Sequence, residues 1–103
     1  MTLPSSVRVF IALEPVDMRG AFDALAGHVR RLALDPQDGH LYVFMNARKT
    51  LMKVLFFDHS GWCILAKRLE QGTFHLPEVA PGQRQVRVEP AVLGLLLEGV
   101  DRT

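Results

Sequence analysis

The sequence predicts one α+β domain, an antiparallel β-meander with two helices, the first of which packs on the sheet. One helical stripe of apolar residues follows a first β-like run, and three further β-like runs are separated by turns short enough for hairpins. With 103 residues, 49% of them hydrophobic, the chain can bury one core and has no room for a second. We therefore expect a single domain over residues 1–103.

The first strand and the first helix are indicated by a change in apolar spacing. Residues 7–13, VRVFIAL, are rich in β-branched and aromatic side chains and end before Pro15, which is typical of a strand. Asp17 offers a carboxylate suited to an N-cap, so we expect the helix to begin there. Its buried stripe consists of Met18, Phe22, Leu25, Val29 and Leu32. The proline and glycine of residues 34–39, LDPQDG, end the helix.

Three strands are predicted next, over residues 41–45, 51–57 and 62–69. The turns between them, NARKT and DHSG, are short, which predicts antiparallel pairing. On the middle strand Met52, Val54 and Phe56 form a wholly apolar face, because alternate side chains of a strand point the same way. We expect the first helix to pack on that face.

The C-terminal part predicts a loop, a strand and a second helix. Residues 75–83, HLPEVAPGQ, hold two prolines and a glycine and predict an exposed loop. Residues 84–89, RQVRVE, alternate between polar and apolar like a strand. Residues 90–100, PAVLGLLLEGV, predict a helix with Pro90 in its first turn and Gly99 just past its end.

Composition argues against several classes of protein. No apolar run reaches the ~18 residues that span a bilayer, so we expect no membrane contact. The one cysteine, Cys63, has no partner for an intramolecular disulfide, and the N-terminal residues lack a secretory leader, which favours the cytoplasm. The net charge of +1 is too small for binding nucleic acid by bulk charge, so an anion site requires local clustering.

Candidate catalytic and metal-binding residues are sparse. The histidines and Cys63 form no short ligand pair of the kind that zinc sites use, so we expect no metal and no cofactor. Asp17 is explained as a helix cap and Asp58 as a turn residue, which leaves no carboxylate cluster for catalysis. We therefore expect no enzymatic activity, and a small hydrolase using Cys63 with His59 is the weakest alternative.

A basic cluster is the remaining signal. Arg48 and Lys49 lie in the first hairpin turn, and the strands beside it carry Lys53, Lys67 and Arg68. We expect Lys53 to lie opposite Lys67, where like charges are costly unless an anion lies between them. Phosphate is such an anion, so these residues are candidate DNA contacts. Spacing alone supports equally well that they protect sheet edges and solubilise an exposed face.

An ordered set of motifs covers nearly the whole chain. It comprises RVFIALEPVDMR at residues 8–19, a basic hairpin, KVL followed by an aspartate and a glycine within residues 53–61, KRLEQGTF at residues 67–74 and LLEG at residues 96–99. This set resembles the TnpB-type accessory protein, the product of the second open reading frame of the insertion-sequence-sixty-six family of bacterial transposons. Its P-x-DMR and KRLE-x-G-x-F motifs are the most specific parts.

The resemblance implies a non-catalytic accessory protein that is needed for transposition beside a separate, larger transposase. Arg19 of the DMR motif projects outward in the predicted helix and joins the candidate DNA contacts. These are Arg19, Arg48, Lys49, Lys53, Lys67 and Arg68. The implied partners are transposon DNA, the transposase and a sibling accessory protein. The alternative is a protein–protein adaptor that docks on the transposase through apolar surface near LGLLLEGV, without contacting DNA.

Overall fold

The computed structural model describes residues 6–99. In chain order its strands and helices are β1 (Val9–Ala12), α1 (Phe22–Arg31), β2 (Leu41–Met45), β3 (Leu51–Asp58), β4 (Gly61–Arg68), β5 (Gln85–Val88) and α2 (Pro90–Glu98). Together they form one α+β domain, as the sequence predicts. No helix in this part of the chain is long and apolar enough to cross a membrane.

The strands form one sheet in the order β4-β3-β2-β1-β5. Strands β2, β3 and β4 pair antiparallel, which confirms the predicted meander. β5 pairs antiparallel with β1, whereas β1 and β2 run parallel. The parallel pair follows from α1, because a chain that crosses between parallel strands needs a long connection, and a helix is the usual one.

Each face of the sheet is covered by one helix. Val54 of β3 belongs to the core that contains Leu93 and Leu96 of α2. Leu55, which points the other way, packs with Leu25 and the rest of the buried face of α1. The expectation that the first helix covers the face of Val54 is therefore wrong. Both faces of the central strands are apolar, so strand periodicity alone does not determine which helix covers which face.

The first helix begins later than its cap signal indicates, so the prediction that Asp17 caps it is wrong. α1 starts at Phe22, and no side chain caps its N-terminus. The Asp17 carboxylate instead accepts the backbone N–H of Arg19 at 2.9 Å, forming a local turn that competes with helix initiation. At Gly20 a Cβ would lie 2.6 Å from the Cβ of Ala24, so only glycine fits between this turn and the helix.

The late start also changes the buried face of α1. Leu25 and Val29 are fully buried, as predicted, and Ala26 joins them. Phe22 is the first residue of the helix and is 43% exposed, which corrects the expectation that it fills the core. The second helix agrees with its signals, since Pro90 occupies its first turn and Gly99 follows it with a φ of 73°.

We predict that Leu25→Ala lowers the free energy of unfolding by about 2–5 kcal/mol, because it leaves a cavity between α1 and the sheet. Phe22→Ala, the matched change one turn earlier on the same helix, should cost less than about 1 kcal/mol, because the ring is partly solvated. Urea unfolding followed by circular dichroism measures both. Equal losses for the two variants would contradict this packing.

Candidate nucleic-acid interface

The sheet topology collects basic residues at one end of the sheet, which we call the hairpin end. Here β1, β2 and β4 finish while β3 and β5 begin. The β2–β3 turn at residues 46–50 carries Arg48 and Lys49. Arg68 is paired with the first residue of β3, and the carbonyl of Arg84 accepts the N–H of Leu13 at 3.0 Å. Four basic residues from three separate segments therefore share this end.

The β2–β3 turn is held in place by Asn46. Its side-chain oxygen accepts the backbone N–H groups of Thr50 at 2.9 Å and Leu51 at 3.1 Å. Its amide nitrogen donates to the hydroxyl of Thr50 at 3.1 Å. One side chain thus satisfies the backbone of a tight turn, as asparagine commonly does. The turn presents Arg48 and Lys49 from a fixed backbone.

The segment after β4 supports the β2–β3 turn through backbone hydrogen bonds. The N–H of Leu69 donates to Thr50 O at 2.9 Å, and the N–H of Phe74 donates to Lys49 O at 2.8 Å. The ring of Phe74 is buried in the core beneath α2, and Gly72 reverses the chain with a φ of 76°. The apolar, glycine and aromatic positions of KRLE-x-G-x-F therefore anchor the hairpin.

Lys49 adopts the left-handed conformation, with a φ of 57°. This conformation costs a non-glycine residue on the order of 1–2 kcal/mol, and such strain is frequent at functional sites. The hydrogen bonds to its neighbours Asn46 and Phe74 hold it there.

A shallow open groove of about 400 Å³ lies between the turn and its support. It is lined by Arg48, Lys49, Thr73, Phe74, His75 and Leu76. Two cationic side chains beside a fixed backbone suit an extended anion better than an enclosed small molecule.

A second basic feature is the loop that contains P-x-DMR. Asp17 and Arg19 form a two-pronged ion pair, with a closest distance of 2.7 Å between Nη2 and Oδ2. The Arg19 guanidinium holds the pKa of Asp17 at about 2, well below its ordinary value. The side chain of Arg19 is 92% exposed, so it projects outward as predicted, but from a loop instead of a helix.

Lys53 connects this loop to the sheet. Its ammonium donates to the carbonyls of Met18 at 2.6 Å and Gly20 at 3.0 Å. The Val16 N–H adds a bond to Met45 O at 3.1 Å. Lys53 therefore positions the loop that presents Arg19, and its own charge is used for backbone contacts.

Lys67 and Lys53 lie on opposite faces of the sheet, so the prediction that they oppose each other is wrong. Lys53 pairs with Ala66, while Lys67 pairs with Met52. A one-residue difference in register moves a side chain to the other face of a strand. The ammonium of Lys67 donates to Leu97 O at 2.6 Å, where a cation also stabilises the C-terminal end of α2.

The six predicted contacts thus separate into groups. Arg48, Lys49 and Arg68 lie at the hairpin end, and Arg19 is exposed on the anchored loop. Lys53 and Lys67 are engaged in backbone contacts. Within residues 6–99 neither of the basic residues of KRLE forms an ion pair with Glu70.

Arg84 belongs to the hairpin end and was missed by sequence reasoning. Its position depends on β5 pairing with β1, a contact between distant segments that no local pattern signals. Its guanidinium donates to Arg31 O at 3.3 Å, at the C-terminus of α1. Beside it, Arg31 contacts the ring of His28 at 3.2 Å, and partial burial together with the Arg31 charge lowers the pKa of His28.

No group of three or more histidine, cysteine, aspartate or glutamate residues that could hold a metal occurs within residues 6–99. Cys63 is half-buried on β4.

We predict that Arg19→Ala raises the pKa of Asp17 from about 2 toward 3.8, because the carboxylate loses its hydrogen-bonded cation. In the wild type the pair is intact above pH 3.8 and is lost as the pH falls through about 2. NMR titration of the side-chain carboxyl measures the shift. Arg30→Ala on the exposed face of α1 serves as the control and should leave the pKa of Asp17 unchanged.

Comparison with known proteins places this arrangement in a family. "Uncharacterized protein y4hO" of Sinorhizobium fredii (strain NBRC 101917 / NGR234) is 42% identical over 102 residues, covering 96% of this chain and 87% of that protein. "Uncharacterized protein y4jC" of the same strain is 33% identical over 98 residues, covering 94% and 82%. No solved structure matches at a significant level. The family model described as IS66 Orf2 like protein matches residues 7–103, and the chain therefore belongs to this family, which points to an accessory role in transposition.

Proposed function

We propose that the protein is a non-catalytic accessory in DNA transposition that contacts the phosphates of transposon DNA through the hairpin end of its sheet. The observation that carries this proposal is the groove beside Arg48 and Lys49. The backbone of the turn that holds these two residues is fixed by Asn46 and supported by the buried Phe74. Arg68 extends the basic surface along β4.

Preorganisation supports phosphate binding at this place. A cation on a mobile loop loses conformational entropy when it grips an anion, whereas a cation on a fixed turn loses less. The hydrogen bonds of Asn46 and of Phe74 fix the turn before any ligand arrives. Because the overall charge is only +1, this local concentration of charge is what can attract a phosphate backbone.

Contacts of this kind predict binding with little sequence preference. Arginine and lysine on phosphate oxygens fix position, whereas base edges carry the sequence information. Within the described residues the hairpin end offers basic side chains from a turn and a strand end instead of a recognition helix. The protein would therefore hold DNA near the separate transposase while leaving the choice of site to that enzyme.

An adaptor function is the second candidate, and a separate surface favours it. An apolar groove of about 410 Å³ runs between α2 and β3, lined in part by Val54, Phe56 and Leu97. On the outer side of α2, Leu95 is 70% exposed. A transposase segment with an apolar face could dock here without touching the hairpin end.

We predict that Arg48→Ala combined with Lys49→Ala weakens binding to duplex DNA about equally across unrelated sequences. The slope of log affinity against log salt should fall by about 1–2 units, because up to two phosphate contacts are lost. Fluorescence anisotropy with labelled duplexes over a salt series measures both effects. The fold should survive, because exposed turn charges contribute little to stability.

The matched control removes two exposed arginines elsewhere, Arg30→Ala with Arg87→Ala. Arg87 lies on β5, three strands away from β3 in the sheet, and Arg30 lies on the last turn of α1. A control variant that loses as much affinity as the hairpin variant contradicts a contact at the hairpin end. Absence of wild-type DNA binding at ~50 mM salt, together with salt-resistant capture of the larger transposase, favours the adaptor instead.

A further inference from the structure

Among residues 6–99, strand β4 is a long edge of the sheet with no strand paired on its outer side. It has eight residues, it pairs with β3 on one side, and its register with β3 is regular from Gly61 to Arg68. Proteins usually shorten, bulge or cover such edges, because exposed backbone groups invite another strand. Leu65, in the middle of β4, is 49% exposed and lines the apolar groove beside α2.

The hydrogen-bond pattern identifies which backbone groups the edge offers. The N–H of Leu69 donates to Thr50 O across the β3–β4 pair. Because successive residues of a strand point their backbone groups to alternate sides, Lys67 and Leu65 also face β3. The outward-facing groups therefore belong to Trp62, Ile64, Ala66 and Arg68.

We propose that a second copy of this chain pairs with this edge, β4 against β4 in antiparallel orientation, so that the two sheets become continuous. A two-fold axis perpendicular to the sheet places a residue opposite itself. With that axis at Leu65, Ile64 of one copy pairs with the partner's Ala66, and the outward-facing groups of both strands are satisfied together.

Side-chain chemistry favours this pairing. Leu65 contacts the partner's Leu65, which covers the exposed side chain and brings the apolar grooves of the two copies together across the axis. Arg68 lies opposite the partner's Trp62, a pair suited to a cation–π contact. Lys67 lies opposite the partner's Cys63, so no two like charges face each other.

The charge distribution along β4 and the β3–β4 turn also favours a second copy of this chain as the partner. The C-terminal end of β4 is basic, whereas the β3–β4 turn at its other end begins with Asp58. Antiparallel pairing brings the basic end of each copy toward the acidic end of the other. The two hairpin ends then point in opposite directions, so Arg48 and Lys49 stay uncovered, and the dimer is independent of the proposed DNA contact.

The test compares oligomeric state in variants of the full chain. We expect wild type to have twice the monomer mass by sedimentation equilibrium at up to about 100 μM, a range that covers weak but specific dimers. Ala66→Pro removes an outward N–H without removing a bond to β3, so it should give a folded monomer. Leu95→Lys, an exposed change on α2 away from the edge, is the control and should leave the mass unchanged.

A cross-link tests the register. At the proposed axis the two copies of residue 65 form a non-hydrogen-bonded pair with Cα atoms about 4.5 Å apart, within reach of a disulfide. Leu65→Cys with Cys63→Ser should give a covalent dimer on mild oxidation, and Leu95→Cys with Cys63→Ser should not. A monomeric wild type, a folded Ala66→Pro dimer, or equal cross-linking of the two cysteine variants overturns the proposal. If Ala66→Pro does not fold, the cross-link decides.

Discussion

Burial of β2 on both faces is the constraint on which the rest of the structure depends. All five of its residues, from Leu41 to Met45, are buried. A strand of this kind must be covered from both sides, so α1 packs on one face of the sheet and α2 on the other. Most charged side chains are then left to the ends of the strands, the edges of the sheet and the outer surfaces of the helices, and Lys53 on the inner strand β3 uses its charge for backbone contacts. The hairpin end and the β4 edge are the surfaces from which we infer contacts with other molecules.

The two most specific motifs both serve to position charge. In KRLE-x-G-x-F, Leu69 and Phe74 tie the chain to the hairpin, while Arg68 extends the basic surface. In P-x-DMR, the loop is held by Lys53 and presents Arg19 to solvent. Much of each motif is thus structural, and its exposed arginine is the part available for a partner. This division accounts for the strong sequence patterning of both motifs.

Sequence patterns predicted most strands and helices, because the residues that signal these elements lie within them or directly beside them. The apolar runs of β2, β3 and β4 between short turns, and the proline and glycine of α2, placed these elements within a residue or two. Errors arose where competing interactions decide, as two examples show. The carboxylate of Asp17 binds Arg19 instead of capping a helix, and the β3–β4 register differs by one residue from the expected pairing of Lys53 with Lys67. Because successive side chains of a strand point to opposite faces of the sheet, a register error of one residue places a side chain on the wrong face. A small error in the predicted pairing therefore reversed the predicted direction of the side chain.

The candidate site was only partly predictable, because some of its residues are brought together by contacts between distant segments of the chain. Arg48 and Lys49 are adjacent in sequence, so their proximity was evident. Arg84 reaches the same end of the sheet only because β5 adds beside β1, which requires knowledge of the whole strand order. The buried support from Phe74 was likewise invisible, since its partner is the backbone carbonyl of Lys49 and not a complementary side chain.

The central claim is that the hairpin end meets DNA phosphate. The most direct measurement is an NMR titration of the isotope-labelled protein with a short duplex of arbitrary sequence, following every backbone amide at low and at high salt. We expect the shifts to concentrate at residues 46–50, 68 and 73–76, and to disappear as salt rises. Shifts confined to α2 and its apolar groove, or a surface that does not respond to DNA at low salt, would contradict it.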